Sequence, residues 1–307
     1  MVEPTNALPG HREILRRLEL DINRRLDGML HGDHRGLVPG HGSELGETRS
    51  YAPGDDVRRI DWNVTARLQE PHVRQTIAER ELETWLVVDR SARLDFGSIG
   101  CEKRDLVLAA AGAIGFLTNR DGNRIGALLT GTPPLLVPAR GSRKHLLHLL
   151  HTIAASPRVD GEGPTDLAEP LRRLGTVAKR RGLVVVISDF QVRAGWVNPL
   201  RVLSTRHDVL AIEVLDPIEL ELPNVGLLPF VDPATGRVRE IPTHKAEIRK
   251  KYAEAAAERR DTLAAELRDA RVDHLTFRTD RPWIDDLVAF VAGRRARVHA
   301  LAGGGHR

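Results

Sequence analysis

From residue 82 onward, short apolar runs alternate along the chain with longer segments whose apolar residues recur at helical spacing. Short runs that are apolar throughout are typical of strands buried in a parallel sheet. The predicted strands are 83–89, 123–130, 135–139, 183–187, 209–215 and 275–278, and the predicted helices are 102–119, 142–155, 165–181, 197–206, 243–271 and 282–297. Gly182 is expected to end the helix that begins at Thr165, and residues 227–241 predict a hairpin.

This alternation of strands and helices predicts a doubly wound α/β fold, with a mostly parallel sheet and helices on both of its faces. The run at 183–187 is the most apolar, so we expect it at the centre of the sheet. The sheet domain is predicted to cover 82–300. Residues 1–81, which include a predicted helix at 11–30, form an N-terminal appendage packed on it, and 301–307 are predicted to be a disordered tail.

Composition excludes several classes of protein. The 307 residues carry a net charge of only +4, and aromatic residues make up 4%, so nucleic acid is not an expected partner. Cys101 is the single cysteine, which prevents an intrachain disulfide. The longest apolar run, 107–117, is too short to be a transmembrane segment, and no signal peptide is evident. These features predict a cytoplasmic protein.

Polar residues follow the predicted strands at the positions where ligands bind in parallel sheets. Asp89 and Ser91 follow the first strand, Thr165 precedes a helix, and Asp189 follows the central strand. The carboxyl ends of such strands meet at one edge, and carboxylates with hydroxyls suit a hard cation such as Mg²⁺. Each of these residue types is also common in helix caps and turns.

The order Asp89-x-Ser91, Thr165, Asp189 resembles the metal-ion-dependent adhesion site (MIDAS) of von Willebrand factor A domains. The resemblance implies a site for Mg²⁺ or Mn²⁺. The family pattern opens Asp-x-Ser-x-Ser, whereas Arg93 holds the last position here. Two consequences remain open: Arg93 points away and leaves a weakened, degenerate site, or its guanidinium pairs with an aspartate and replaces the metal.

A second resemblance covers residues 49–67, here named the signature segment, and an upstream stretch at 40–44. It is similar to the DUF58 family, and its matching residues include Tyr51, Pro53, Gly54, Asp55, Asp56, Arg58, Asp61, Trp62 and Arg67. Members of that family resemble von Willebrand A proteins and are commonly encoded beside MoxR-type AAA+ ATPases. The resemblance implies an adaptor or chaperone-like protein whose partner is such an ATPase or its client. Many relatives carry transmembrane helices.

The signature segment also has a physical interpretation. Residues 53–56 favour a tight turn, and Ile60 and Trp62 alternate with charged residues as in an edge strand. Its charged residues form either a structural ion-pair network or a catalytic or binding cluster.

Three functional hypotheses follow. The first is a non-enzymatic protein–protein interaction module, in which a partner carboxylate completes the shell of a metal at the MIDAS-like site. The alternative is a metal-dependent hydrolase that uses the same carboxylates; it needs a general base, for which His207 and Asp216 are the nearest candidates. The third is a scaffold in which Arg93 has replaced the metal.

Overall fold

The computed structural model describes residues 48–52, 57, 60–74, 82–119, 123–131, 133–156, 165–231 and 237–303. The predicted helix at 11–30 and the upstream stretch at 40–44 lie outside these residues. The chain divides into two compact units: one is Pro39–Glu81, and the other joins Met1–Val38 with Leu82–Arg307. Each unit is described by itself below.

The larger unit is built on a six-stranded sheet with the order β5-β4-β3-β6-β7-β10. The strands are β3 (Glu83–Val88), β4 (Arg124–Leu129), β5 (Leu135–Arg140), β6 (Gly182–Ser188), β7 (Asp208–Leu215) and β10 (Asp273–Arg278). All neighbours are parallel except β4 and β5, which form an antiparallel pair. The predicted mostly parallel sheet is therefore confirmed, and the most apolar strand, β6, lies between β3 and β7 as expected.

Among the described residues of this unit, six helices cover both faces of the sheet. They are α2 (Lys103–Thr118), α3 (Arg143–Ala155), α4 (Ala168–Val177), α5 (Val197–Ser204), α6 (Ala246–Asp269) and α7 (Trp283–Gly303). One core packs alternate residues of the strands, such as Leu86 and Ile212, against α2, α3 and α7. The other packs Val87, Val186 and their neighbours against α4, α5 and α6. Alternation of side chains along buried strands produces these two cores.

Three predicted helix boundaries are wrong, and for the first two the reason is local. The helix expected at 165–181 begins at Ala168, because the Asp166 carboxylate accepts hydrogen bonds from the Ala168 and Glu169 amides and caps it there. Gly182 does not end that helix. It is the first residue of β6, and a Cβ at this position would collide with the carbonyl oxygen of Glu83. The last helix, predicted to end at 297, continues to Gly303.

The predicted hairpin lies outside the six-stranded sheet. It consists of β8 (Leu227–Val231) and β9 (Val238–Pro242), which pair in antiparallel register. Leu227, Val231 and Val238 are exposed.

The described part of the smaller unit consists of β1 (Thr48–Ser50), β2 (His72–Arg74) and α1 (Trp62–Leu68). The two strands are antiparallel, and Ile60 makes an isolated bridge to Val73. The predicted edge strand through Trp62 is wrong, since a helix begins at that residue. The cause is Asp61, whose Oδ1 accepts from the Asn63 amide at 3.1 Å and the Val64 amide at 3.3 Å, as an N-cap does.

Candidate functional site at the carboxyl edge of the sheet

The strands β3, β6 and β7 are adjacent and parallel, so their carboxyl ends meet along one line, here named the carboxyl edge. Asp89 directly follows β3, Asp189 follows β6, and Asp216 follows β7. A short 3-10 helix at Ala92–Leu94 carries Arg93, and another at Pro217–Glu219 carries Glu219. The sequence prediction that polar residues collect at this edge is met by Asp89, Ser91 and Asp189.

Asp89 is buried and both of its carboxylate oxygens accept hydrogen bonds from the protein. Oδ1 accepts from the Ser91 amide at 2.8 Å, and Oδ2 accepts from the Ser188 hydroxyl at 2.7 Å. Burial, followed by the negative charge of Asp189, raises the pKa of Asp89 above its usual value, against the opposite effect of these hydrogen bonds. The two aspartates therefore form a buried acidic pair.

The charge of Asp189 is balanced by a residue that sequence reasoning missed, Lys103 in the first turn of α2. Its ammonium Nζ lies 3.1 Å from Asp189 Oδ2 and 2.8 Å from Glu219 Oε1, and its side chain is only 1% exposed. Burial lowers the pKa of an ammonium, but the negative charges of Asp189 and Glu219 outweigh burial and raise the pKa of Lys103. Lys103 is therefore a buried group whose charged form is favoured by the two carboxylates that it contacts.

The sequence contained one signal for Lys103. A cation in the first turn of a helix opposes the helix dipole, so a lysine at the start of α2 needs carboxylates nearby. Glu219 was missed because it comes from a loop that follows β7, far along the chain.

Arg93 lies beside the same acidic pair. Its Nε is 3.6 Å from Asp189 Oδ2, and its side chain is 21% exposed. Within the part of the chain that the structure describes, Arg93 Nε and Nη2 and the Ser91 hydroxyl are buried without hydrogen-bond partners. Buried donors of this kind are rare unless a ligand or water satisfies them. The carboxyl edge therefore has hydrogen-bond donors on Arg93 and Ser91 close to the buried ammonium of Lys103.

Thr165, the fourth predicted metal ligand, is not seen to join this cluster. Its carbonyl accepts from the Arg193 amide at 2.8 Å, and its hydroxyl makes no hydrogen bond to the aspartates among the described residues. It is also not a helix cap, since Asp166 has that role.

The donor set fits Mg²⁺ or Mn²⁺ poorly. These ions need oxygen ligands at about 2.0–2.2 Å in near-octahedral geometry. Both oxygens of Asp89 accept from protein donors. Asp189 Oδ1 accepts from the Gln191 amide at 3.0 Å, and its Oδ2 already contacts Lys103. A divalent ion at Oδ2 would face the ammonium group at short range, and Coulomb repulsion opposes that arrangement.

Asp216, proposed above as a candidate base, is fully buried and saturated with donors. It accepts from the Ser98 amide and hydroxyl at 2.7 and 2.5 Å, the Thr279 hydroxyl at 2.7 Å and the Ile218 amide at 3.0 Å. Although burial raises the pKa of a carboxyl, the hydrogen bonds from Ser98 and the other donors lower that of Asp216 overall. Its carboxylate ties three loops of the carboxyl edge together.

His207 lies at the other end of the sheet, because it precedes the first residue of β7. Eight strand residues separate it from the carboxyl edge, which corresponds to about 26 Å. His207 instead lines a cavity of about 540 Å³, together with Asp208, Asp273 and Arg294. It is not positioned to act as a base for the aspartates.

The signature segment is only partly described. Tyr51 donates its amide to the Pro71 carbonyl at 2.7 Å, Asp61 caps α1, Trp62 is 70% exposed, and Arg67 lies in the last turn of α1. The predicted signature residues Pro53, Gly54, Asp55, Asp56 and Arg58 lie outside the described residues. The predicted turn and ion-pair network therefore stay predictions.

Solved structures with similar folds were found by comparison. The conserved hypothetical protein BatB from Bacteroides thetaiotaomicron is 12% identical, with a TM-score of 0.42 over 70% of this chain and 99% of that chain. An aerotolerance-related membrane protein from Bacteroides fragilis is 11% identical, with a TM-score of 0.43 over 70% and 96%. An uncharacterized membrane spanning protein from Vibrio fischeri is 13% identical, with a TM-score of 0.27 over 72% and 99%.

The cytoplasmic location predicted from the sequence is contradicted by these neighbours, because two of them are described as membrane proteins. We withdraw that prediction. Across the described residues, none of the helices combines the length and the apolar content that crossing a bilayer requires.

Relatives match the chain along nearly its whole length. Uncharacterized protein Rv1480 of Mycobacterium tuberculosis and uncharacterized protein Mb1516 of Mycobacterium bovis are each 53% identical over 310 residues, which cover 99% of this chain and 97% of the relative. Uncharacterized protein MAV169 of Mycobacterium avium is 45% identical over 167 residues, or 54% of this chain and 97% of the relative. The family model described as protein of unknown function DUF58 matches residues 47–262, and the chain therefore belongs to the DUF58 family.

Proposed function

We propose that this chain is a non-enzymatic protein-binding module with a von Willebrand factor A-like domain, and that the carboxyl edge is its binding surface. The observation that carries the proposal is Arg93, which has two hydrogen-bond donors without partners in the described part of the chain. Ligands of open parallel sheets bind outside the carboxyl ends of the strands, which is where Arg93 lies.

The chemistry of Arg93 favours an acidic group on the partner. A guanidinium binds a carboxylate through two parallel charge-assisted hydrogen bonds. The Arg93 side chain is 21% exposed, whereas its Nε and Nη2 and the neighbouring Ser91 hydroxyl are buried, so a partner carboxylate binds these donors once the guanidinium turns toward solvent. An Asp or Glu side chain of the partner is the expected ligand.

The family resemblance suggests the partner. DUF58 proteins commonly occur beside MoxR-type AAA+ ATPases, so we propose that such an ATPase, or its client, supplies the acidic side chain and that this chain acts as its adaptor or chaperone-like partner.

The hydrolase alternative has no observation in its favour. Metal-assisted hydrolysis needs a base positioned beside the reacting water. His207 lies at the opposite end of β7, and the Asp216 carboxylate is already occupied by donors from Ser98, Ile218 and Thr279. Turnover of phosphoesters or esters that disappears in Asp89→Ala would nevertheless establish the enzyme and end the proposal.

The proposal is tested by the affinity of the purified protein for the MoxR-type ATPase encoded in the same genome. Arg93→Gln removes the guanidinium and is expected to weaken binding at least about tenfold, because a charge-assisted pair contributes about 1.5–3 kcal/mol. Arg172→Gln is the matched control, since Arg172 is an exposed arginine on α4 that pairs with the exposed Glu169 at 3.4 Å. Equal affinities of wild type and Arg93→Gln would refute the role of the edge.

A further inference from the structure

Among the described residues of the carboxyl edge, two cations lie beside two carboxylates: Lys103 contacts Asp189 and Glu219, and Arg93 Nε lies 3.6 Å from Asp189. Asp89 is linked to the end of β6 through the Ser188 hydroxyl. In a divalent-metal site of this kind the metal would supply the positive charge that holds such carboxylates together. Here two side chains of the protein supply it.

We propose that Lys103 takes the place of the divalent cation, so that the carboxyl edge is a metal-independent site whose binding group for a partner carboxylate is Arg93. The assignment rests on the proposed function in one respect, which is that the carboxyl edge is the binding surface. It differs from the expectation that Arg93 alone replaces the metal, because the two cations have separate tasks.

The division of tasks follows from burial. The Lys103 ammonium is enclosed, with Asp189 and Glu219 as its partners at 3.1 and 2.8 Å, so no ligand from solvent reaches it. Arg93 is partly exposed, and its Nε lies 3.6 Å from Asp189 Oδ2. This distance is too long for a hydrogen bond. Lys103 therefore compensates the charges of the two carboxylates that it contacts, Asp189 and Glu219, and Arg93 keeps donors for an incoming anion.

Further contacts hold the lysine in place. Glu219 Oε1 also accepts from Gln191 Nε2 at 2.9 Å, and Glu219 Oε2 accepts from the Asp216 amide at 3.0 Å. The carboxylate that faces the Lys103 ammonium is thus fixed by a side chain from the loop after β6 and by the backbone after β7. A group held by several partners in this way is preorganised for one position of the cation.

The test uses Mn²⁺ alone as the probe. Isothermal titration calorimetry compares wild type with Arg93→Ser/Lys103→Met, a double variant that restores Asp-x-Ser-x-Ser at residues 89–93 and removes the internal ammonium. The expected result is no saturable Mn²⁺ binding in wild type and saturable binding in the double variant. The affinity of the double variant should exceed the weakest affinity that the wild-type titration could detect by at least about tenfold. Adding Asp189→Asn to the double variant should abolish the gain.

The matched control is Arg172→Ser/Lys250→Met, which removes an exposed arginine and an exposed lysine elsewhere and should gain no Mn²⁺ binding. Circular dichroism checks that each variant is folded. Should the double variant not fold, Lys103→Gln replaces Lys103→Met, since glutamine keeps a donor for the carboxylates.

Two results would overturn the assignment. The first is saturable Mn²⁺ binding by wild type that is lost in Asp189→Asn, because the edge would then be a metal site despite Lys103. The second is a folded double variant without any gain in Mn²⁺ affinity. Since no partner protein is present, both results are independent of whether the MoxR-type ATPase binds.

Discussion

Replacing Lys103 with methionine gives the sharpest test of how the buried charges are balanced. Methionine keeps an unbranched side chain that is one atom shorter and lacks the ammonium that contacts Asp189 and Glu219. Removal of one partner from a buried ion pair typically costs about 3–5 kcal/mol of stability, because it leaves an uncompensated buried charge. The Glu219 side chain is 14% exposed and can turn toward water, so we expect the lower part of that range.

The expected loss is measurable as a shift in melting temperature. For a domain of this size, 1 kcal/mol corresponds to about 2–4 °C, so about 3 kcal/mol predicts a decrease of about 6–12 °C. Differential scanning calorimetry of wild type and Lys103→Met at neutral pH measures it. Lys250→Met is the control, because Lys250 is 78% exposed and pairs with Glu254 at 3.8 Å. Exposed pairs contribute at most about 1 kcal/mol.

One outcome would refute the reasoning. If Lys103→Met melts within about 2 °C of wild type, as the control is expected to, then the ammonium does not compensate the two carboxylates that it contacts. The assignment of Lys103 as the internal cation would fail with it.

Two further predictions concern other buried ionisable groups. Asp216→Asn should lose about 2–3 kcal/mol of stability in urea unfolding, because amide hydrogens would face the Ser98 and Ile218 amides. The folded-state pKa of Asp216 is below its ordinary value of 3.8, so the stability that the carboxylate contributes is present above pH 3.8 and is lost as the pH falls further. The difference in the free energy of unfolding between wild type and Asp216→Asn should therefore become smaller below pH 3.8. For His207, burial, followed by the charge of Arg206, lowers the pKa below 6.5. The unfolded chain then binds a proton that the folded chain does not, so stability should fall as pH drops below 6.5, and His207→Gln should show a smaller fall in melting temperature between pH about 7.5 and about 5.5.

The sequence was sufficient for the parts of the fold that depend on periodicity. Apolar runs identified the strands, and their alternation with helices implied parallel neighbours, whereas β4 and β5 form an antiparallel pair. The meeting of Asp89 with Asp189 was predictable for the same reason, since both directly follow adjacent strands. Residues that directly follow two adjacent parallel strands lie close together, whatever their distance along the chain.

The remaining features depend on contacts that no local pattern records. Lys103 and Glu219 come from the start of a helix and from a loop, and they meet only because both reach the end of β6. Thr165 was assigned as a ligand from its residue type, whereas the neighbouring Asp166 sets the helix boundary. A single capping aspartate, Asp61, likewise converted a predicted strand into a helix.

The strand order has a consequence for how the chain is made. Asp89 and Ser188, whose side chains are hydrogen-bonded across β3 and β6, are 99 residues apart along the chain. At about 5–20 residues per second of synthesis, the ribosome needs about 5–20 s to supply β6 after β3. During that time the edge of β3 that later pairs with β6 is left without that partner, because β4 occupies the other edge. The β3–β6 pair at the centre of this sheet therefore closes only after β4 and β5 have been made and before β7 and β10 are added, and β3 exposes one strand edge until β6 emerges.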